Sequence, residues 1–347
     1  MPVKKESENP LFGGKKTYYF IGELLIFFAL VSACFVWYQV RLPLQPDSKK
    51  VVKFTVQKGE GGKQIASELK SQGLIKYSSF FRIYILFRGM ADKLQAGDYE
   101  LSPSMDVRTI AVKMADGQIM QQSATIIEGW NLNDIGQHLE DQKIVTKKDF
   151  LAAAQEDFGS QFDFLGDRPK NASLEGYIYP DTYYFPLGAS AEDIIKQALQ
   201  NFGAKLTPEL RAEISRQNKT IFQIITMASI IEKEVQTPED KKVVSGIFWN
   251  RLEIWKPLES CATIAYVTGE NKNIYSYDDT RVKSAYNTYL NYGLPPGPIS
   301  NPGMDSILAA IYPEKSDYLY FLSTPDGKTI FSKTYEQQIQ AQNKYLK

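Results

Sequence analysis

Two carboxylates close an otherwise apolar stretch: Glu232 and Glu234 end the run from Ile221 to Val235, IFQIITMASIIEKEV. A segment apolar nearly all round reads as a buried helix. Thr237-Pro238 opens the next helix, so the first ends near Val235. Both carboxylates then fall in the last turn of a buried helix, where dipole and burial oppose negative charge and push a carboxyl pKa upward. A carboxyl so placed suits general acid catalysis near neutral pH. Glu232 shares its stripe with Ile225, Ala228 and Ser229, Glu234 sits over Ile230 and Ile231, and Lys233 could neutralise either. Helix geometry alone does not choose between them, and a Glu-Lys-Glu surface at a fraying helix end fits the same pattern.

A second carboxylate-bearing stretch is Leu174 to Phe185, LEGYIYPDTYYF, with five aromatics around Glu175 and Asp181. Aromatic faces beside carboxylates suit sugar rings, which stack through C–H faces and need partners for their hydroxyls. An aromatic-rich core strand has the same composition. Alternation predicts a strand here, with Pro180 at an edge or kink.

The rest of the composition removes other chemistries. Among 347 residues there is one histidine, His138, and two cysteines, Cys34 and Cys261, far apart in the chain. Zinc sites, Ser-His-Asp arrangements and disulfide frameworks need more than that. No metal and no cofactor is expected. Forty basic residues balance forty acidic ones, so no global field favours nucleic acid.

The elements that must position these groups follow from periodicity. Ser190-x-x-Asp193 predicts a capping box and Thr207-Pro208 a cap with proline at the first helical position. A helix from Asp240 to Trp255 carries Val244, Ile247, Phe248, Leu252 and Trp255 on one side and Asn250 and Arg251 on the other. Ser260-Cys261-Ala262-Thr263 leads into a helix, and Tyr286-Asn287-Thr288-Tyr289 precedes a rigid loop, Gly293 to Gly303, with four prolines and three glycines. Such loops hold one backbone shape at low entropy cost. Asn301-Pro302 is expected to cap a helix to Ile311, and a hairpin turns at Pro325-Asp326-Gly327 before a polar C-terminal helix.

Towards the N-terminus two stretches match at an offset of 70 residues, one from Phe54 and one from Ala124. Thr55/Thr125, Gly59/Gly129, Ile65/Ile135, Leu69/Leu139, Gln72/Gln142 and Phe80/Phe150 are identical pairs. Each copy reads as strand, glycine turn and helix, then a second helix. Two copies are too few for a solenoid and predict a duplicated α+β unit. Phe54-Thr55-Val56-Gln57-Lys58-Gly59-Glu60 with Ile65-Ala66 resembles the opening of a LysM carbohydrate-binding module, so this unit is a sugar contact or a stable spacer.

Before the repeats, Thr17 to Val40 is apolar except for Glu23, with Tyr18, Tyr19, Trp37 and Tyr38 at its ends. As a helix it spans about 36 Å, enough to cross a bilayer with its aromatics at the interfaces. Basic residues flank both ends, but a short head and a long tail predict that the tail is translocated. Val31-Ser32-Ala33-Cys34 also fits a lipoprotein cleavage box, although the apolar run continues past it.

Several further strings resemble, in order, the endolytic murein transglycosylases of the MltG (YceG-like) family. They are Ala228-Ser229-Ile230-Ile231-Glu232-Lys233-Glu234, Leu174-Glu175-Gly176-Tyr177 with Pro180-Asp181-Thr182, Phe248-x-Asn250-Arg251-Leu252, Tyr286-Asn287-Thr288-Tyr289, Gly293-Leu294-Pro295-Pro296-Gly297-Pro298-Ile299 and Tyr318-Leu319-Tyr320-Phe321. The resemblance covers nearly the whole chain. It implies that Glu232 is catalytic and that the reaction, a lyase reaction, cleaves MurNAc–GlcNAc β-1,4 bonds in nascent peptidoglycan without water. A 1,6-anhydro-MurNAc end is left and strand growth stops. Substrate-binding candidates on this reading are Glu175, Tyr177, Asp181, Ser229, Glu234, Asn250, Arg251, Thr263, Tyr286 and Asn287. The partners implied are glycan strands and the cell-wall synthases of the membrane. The family commonly has Ser-Asp-Pro-Thr where this chain has Ser260-Cys261-Ala262-Thr263, and histidines in the C-terminal hairpin where it has Lys328, Thr329 and Gln337.

The expected organisation is α+β: a cytoplasmic head at 1–16, a transmembrane anchor at 17–40 and a linker at 41–50. A LysM-like module at 51–120 and a second repeat unit or connector at 121–170 follow. A catalytic domain with a buried central helix occupies 171–347. The anchor places a single-pass protein in the cytoplasmic membrane with its bulk outside the cytoplasm. A water-using muramidase, with Glu175, Asp181 or Glu234 as second carboxylate, and a non-catalytic wall-binding scaffold are the alternatives.

Overall fold

The computed structural model describes residues 14–270, 272 and 275–346. Most of the expected head at 1–16 lies outside the described residues. Helix α1, Gly14–Arg41, contains the apolar span Tyr18–Arg41, 24 residues that include an 18-residue stretch with a mean hydropathy of 2.2. Among the described residues it is followed by twelve more α-helices and three two-stranded sheets, a mixed α+β architecture. The chain divides into two compact units, Met1–Gln121 and Gln122–Lys347.

In the first unit β1 (Val52–Val56) runs into α2 (Gly62–Ser71) and α3 (Ser78–Phe87), and β2 (Gly97–Leu101) returns antiparallel to β1 with Phe54 opposite Tyr99. Helix α4 (Val107–Ala115) starts where the Asp106 carboxylate accepts from the Thr109 N–H at 2.7 Å. Phe54, Ile65, Leu69, Phe81, Tyr99, Ile110 and Met114 are fully buried and form this unit's core.

The second unit begins with the second copy of the repeat: β3 (Gln121–Thr125), α5 (Leu132–Asp141) and α6 (Lys147–Ala153). Helix α5 sits 70 residues after α2 at both ends, and Gly59 and Gly129 share a left-handed backbone at φ +85° and +78°. The helix ends also correspond, with the Leu74 N–H on the Leu69 carbonyl and the Ile144 N–H on the Leu139 carbonyl. The copies differ in their strand partners. Strand β3 pairs with β4 (Thr182–Pro186), and residues 124–165 share one core with the helices that follow.

Strand β4 is shorter than the alternation of 174–185 predicts. Gly176 takes φ +89° with its Cα against Ile225 and Pro298, so the chain turns there and buries Leu174, Tyr177 and Ile178. Pro180 precedes the strand.

Helices α7 (Ala191–Lys205), with the expected Ser190/Asp193 capping box, and α8 (Pro208–Arg216) lead to α9 (Ile221–Glu234). Every residue of α9 from Ile224 to Ile231 is buried. Around α9 lie α10 (Pro238–Glu253), α11 (Cys261–Thr268) and α12 (Met304–Ile311). The hairpin β5 (Tyr320–Ser323) and β6 (Thr329–Ser332) and the helix α13 (Tyr335–Tyr345) complete the unit.

Candidate active site

Helix α9 is fixed at its start by a reciprocal cap. Thr220 Oγ1 accepts from the Gln223 N–H at 3.1 Å, and Gln223 Oε1 accepts from the Thr220 N–H at 2.9 Å. In the middle, the Ser229 hydroxyl donates to the Thr226 carbonyl at 2.7 Å and accepts from the Ile299 N–H at 3.0 Å. Ser300 Oγ donates to the Ser229 carbonyl at 3.0 Å, so the Pro/Gly loop is tied to the central helix at one residue. These bonds set where the last turn of α9 ends.

The two carboxylates that the helix left equivalent part company there. Glu232, with a side chain 8% exposed, receives four hydrogen bonds. Lys241 Nζ, from the first turns of α10, lies 3.1 Å from Oε1 and 3.2 Å from Oε2. The Gly303 N–H, at the N-terminal cap of α12, donates to Oε2 at 3.0 Å, and Ser306 Oγ donates to Oε2 at 2.6 Å. The positive end of α12 thus opposes the negative end of α9 at this carboxylate. The charge partner is Lys241 rather than Lys233, whose ammonium donates to the Gly129 carbonyl at 3.2 Å.

Glu234 points the other way. It accepts from Ser260 Oγ and from the Ala262 N–H, and burial raises its carboxyl pKa against the opposing hydrogen bond from Ser260. Its surroundings are the start of α11, where Thr263 Oγ1 donates to the Ser260 carbonyl at 2.7 Å and Cys261 Sγ lies 3.0 Å from the Tyr289 hydroxyl.

The remaining candidates are placed as follows. Glu175 is 4% exposed and accepts from the Leu132 N–H on both oxygens and from Asn301 Nδ2 at 3.0 Å; burial pushes its carboxyl up to about 8. Tyr177 is fully buried against Phe164 and Phe202. Asp181 is exposed and accepts from Asn201 Nδ2 at 2.9 Å. Asn250 donates to the Ser316 carbonyl and Arg251 to the Leu319 and Leu258 carbonyls, which ties α10 to the segment leading into β5. Asn287 is buried and donates to the Thr280 and Val282 carbonyls, and Tyr286 packs its ring on Tyr266 at 5.1 Å.

Asn301 does not cap α12. Its side chain accepts from the Ile178 N–H and donates to the Trp130 carbonyl and Glu175, so the cap falls to Gly303. His138 packs its ring on Trp130 at 5.0 Å.

Beside Glu232 stand Glu128, Lys241 and Ser306, which motif reading passes over, and Gly303, the last residue of the Pro/Gly loop. Lys241 had a legible signal: it continues the apolar face of α10 three residues before Val244 and is 3% exposed. Glu128 had one too, because it stands at the repeat position occupied by Lys58 in the first copy. Among the described residues no group of three or more His, Cys, Asp or Glu is placed to hold a metal ion.

Residues 54–344 match the YceG-like family. The chain is 34% identical over 317 residues to the endolytic murein transglycosylase of Bacillus subtilis, covering 88% of this chain and 87% of that protein. It is 32% identical over 350 residues to the endolytic murein transglycosylase of Streptococcus pneumoniae, covering 91% of this chain and 63% of that longer protein. A crystal structure of a yceG-like protein from Listeria monocytogenes superposes with a TM-score of 0.58 at 36% identity. That match covers 84% of this chain and 99% of the other.

Proposed function

The chain belongs to the YceG-like family and is an endolytic murein transglycosylase; we propose that Glu232 carries its reaction, as acid and then as base. The observation that carries this reading is the convergence of an ammonium, a backbone N–H and a hydroxyl on Glu232, while Glu234 is consumed by Ser260 and Ala262. Oε2 accepts three hydrogen bonds and Oε1 one, so Oε1 is the oxygen with a free lone pair to carry the moving proton.

Oε1 gives its proton to the oxygen bridging MurNAc and GlcNAc as the bond from that oxygen to the anomeric carbon breaks. The 6-hydroxyl of the same MurNAc closes on the anomeric carbon and returns its proton to Glu232. A 1,6-anhydro ring results, no water is consumed, and the enzyme ends as it began. Glycosidases that use water need a second carboxylate as nucleophile or base, whereas an intramolecular hydroxyl needs only orientation. Lys241 stabilises the carboxylate left after the first proton transfer. Ser229, Asn250, Arg251, Thr263, Asn287, Glu175 and Tyr177 act through the framework, by fixing α9, α10 and the Pro/Gly loop. Asp181 and Tyr286 remain candidates for sugar contact from the edges of the unit.

Helix α1 is the single-pass anchor in the cytoplasmic membrane, with the chain that follows it outside the cytoplasm. The first unit is the LysM-like, glycan-contacting module, and the membrane synthases that make the strands are its neighbours.

The test is digestion of purified peptidoglycan by the full chain in detergent, read by mass spectrometry. The parent yields anhydro-MurNAc ends, and Glu232→Gln lowers their rate by at least about 100-fold. Reducing ends would select a water-using muramidase, and sacculus binding without cleavage a scaffold.

A further inference from the structure

The loop that joins β3 to α5 brings a second carboxylate to Glu232. Backbone and side-chain hydrogen bonds hold this loop. The Gly129 N–H donates to the Asn301 carbonyl at 2.9 Å, the Asn301 N–H to the Trp130 carbonyl at 2.7 Å, and the Trp130 N–H to the Ile127 carbonyl at 3.2 Å. Lys233 Nζ closes the loop from α9 at the Gly129 carbonyl. A Cβ on Gly129 would stand 3.6 Å from Glu232 Cγ, so the loop backbone lies against the catalytic side chain itself.

Glu128 projects from this loop onto Gly303, the residue whose N–H is bonded to Glu232. A Cβ on Gly303 would collide with both oxygens of the Glu128 carboxylate. Gly303 has φ −73° and ψ 171°, extended backbone that any residue adopts, so glycine here makes room for Glu128 rather than for a turn. Residue Glu128 is exposed, whereas Glu232 is nearly covered. The titratable groups facing it are Glu232, Lys241 and Asp305, with Tyr179 and Lys233 on the flanks. Partial desolvation on the side facing Gly303, with the nearby Glu232 charge, raises the Glu128 carboxyl from its ordinary value although the residue as a whole is exposed, as expected of a carboxylate held against another.

We propose that Glu128 is a second catalytic residue, whose carboxylate faces the anomeric carbon and stabilises the oxocarbenium-like charge that develops as the glycosidic bond breaks. It exchanges no proton: the bond-breaking proton comes from Glu232, and the proton of the 6-hydroxyl returns there. A fixed negative charge beside a developing positive one lowers the barrier without changing the product. The carboxylate alternatives read from sequence lie elsewhere. Glu175 and Glu234 are buried in hydrogen bonds, and Asp181 is bonded to Asn201. This inference rests on Glu232 as the acid, and its test separates the two.

The test uses the full chain in detergent on purified glycan strands. Glu128→Gln lowers kcat by about 100-fold with KM little changed, keeps anhydro ends as product, and removes the acid limb of the kcat–pH profile that reports Glu128 ionisation. Gly303→Ala keeps every functional group but displaces the Glu128 carboxylate, and lowers kcat in the same direction. If Glu128→Gln retains kcat within about twofold of the parent and an unchanged acid limb, the proposal is overturned, whatever Gly303→Ala does. Glu232→Gln, run alongside, judges the parent reading: activity retained there and lost in Glu128→Gln would overturn Glu232 as the acid and this proposal with it.

Discussion

Glu175 illustrates how burial redirects a residue whose type suggests sugar recognition. Its carboxyl accepts from the Leu132 N–H and from Asn301, whose amide also holds the Trp130 carbonyl. It therefore stabilises the same loop that carries Glu128. Burial moves its pKa from 4.5 to about 8 in the folded protein. The folded state thus holds a proton that the unfolded chain releases. The stabilisation is complete below about pH 4.5 and is lost as pH rises towards and through about 8. Glu175→Gln keeps the shape without titrating, so its unfolding free energy should stay flat relative to the parent's decline between pH 5 and pH 8. Urea unfolding at several pH values reads this directly; parallel profiles for the two proteins would sink the assignment. Residue type made Glu175 visible in the sequence, but its solvation depends on Leu132 and Asn301, far away along the chain.

At the scale of elements, the helix starts at Ser190, Thr207 and Thr237 were legible because capping is local, whereas the one expected at Asn301 was not, its side chain being taken by distant partners. Thr220, Thr237, Ser190 and Thr207 each accept from the N–H three residues on. What the pattern left open was how the helices meet. Helices α9, α10 and α12 converge on Glu232, and α10 approaches the segment after α12 so closely that a Cβ on Gly246 would run into the Glu314 carbonyl. The Glu314 N–H is bonded to the Lys242 carbonyl at 3.0 Å, so that backbone has little room to yield. Gly246→Ala should destabilise the second unit by about 1–3 kcal/mol. Because Lys241 stands one turn away, it should also lower cleavage activity at temperatures where the variant is folded. Calorimetry paired with the anhydro-product assay checks both, and an unchanged melting temperature would contradict the packing argument.

At the scale of the whole chain, one membrane-length apolar helix among the described residues accompanies two compact units. Helix α1 is long and apolar enough to span a bilayer. The expected mature protein retains Tyr18–Arg41 and stays in the membrane pellet after an alkaline carbonate wash. Leu25→Arg with Phe28→Arg, each costing about 3 kcal/mol at the centre of a span, should release it. N-terminal sequencing of the membrane-bound protein that began beyond residue 41 would identify a cleaved signal instead. The cores of the two units share no residue, so each can be perturbed separately.

By itself, the sequence determined the apolar span, the duplicated strand–helix unit, the buried central helix and the pair of carboxylates at its end. These are periodicities and local capping preferences, carried by neighbours within a few residues. Only the tertiary structure shows what surrounds each of these carboxylates. The second repeat copy exchanges its own return strand for β4 and packs into the unit of α9, which brings Glu128 beside Gly303 and Glu232. Lys241, Ser306 and Gly303 arrive from two further helices. Charge, hydrogen-bond supply and burial at Glu232 are sums over groups up to 178 residues apart in this numbering, from 128 to 306. No local pattern encodes such a sum, because each contribution depends on distance in space rather than distance along the chain.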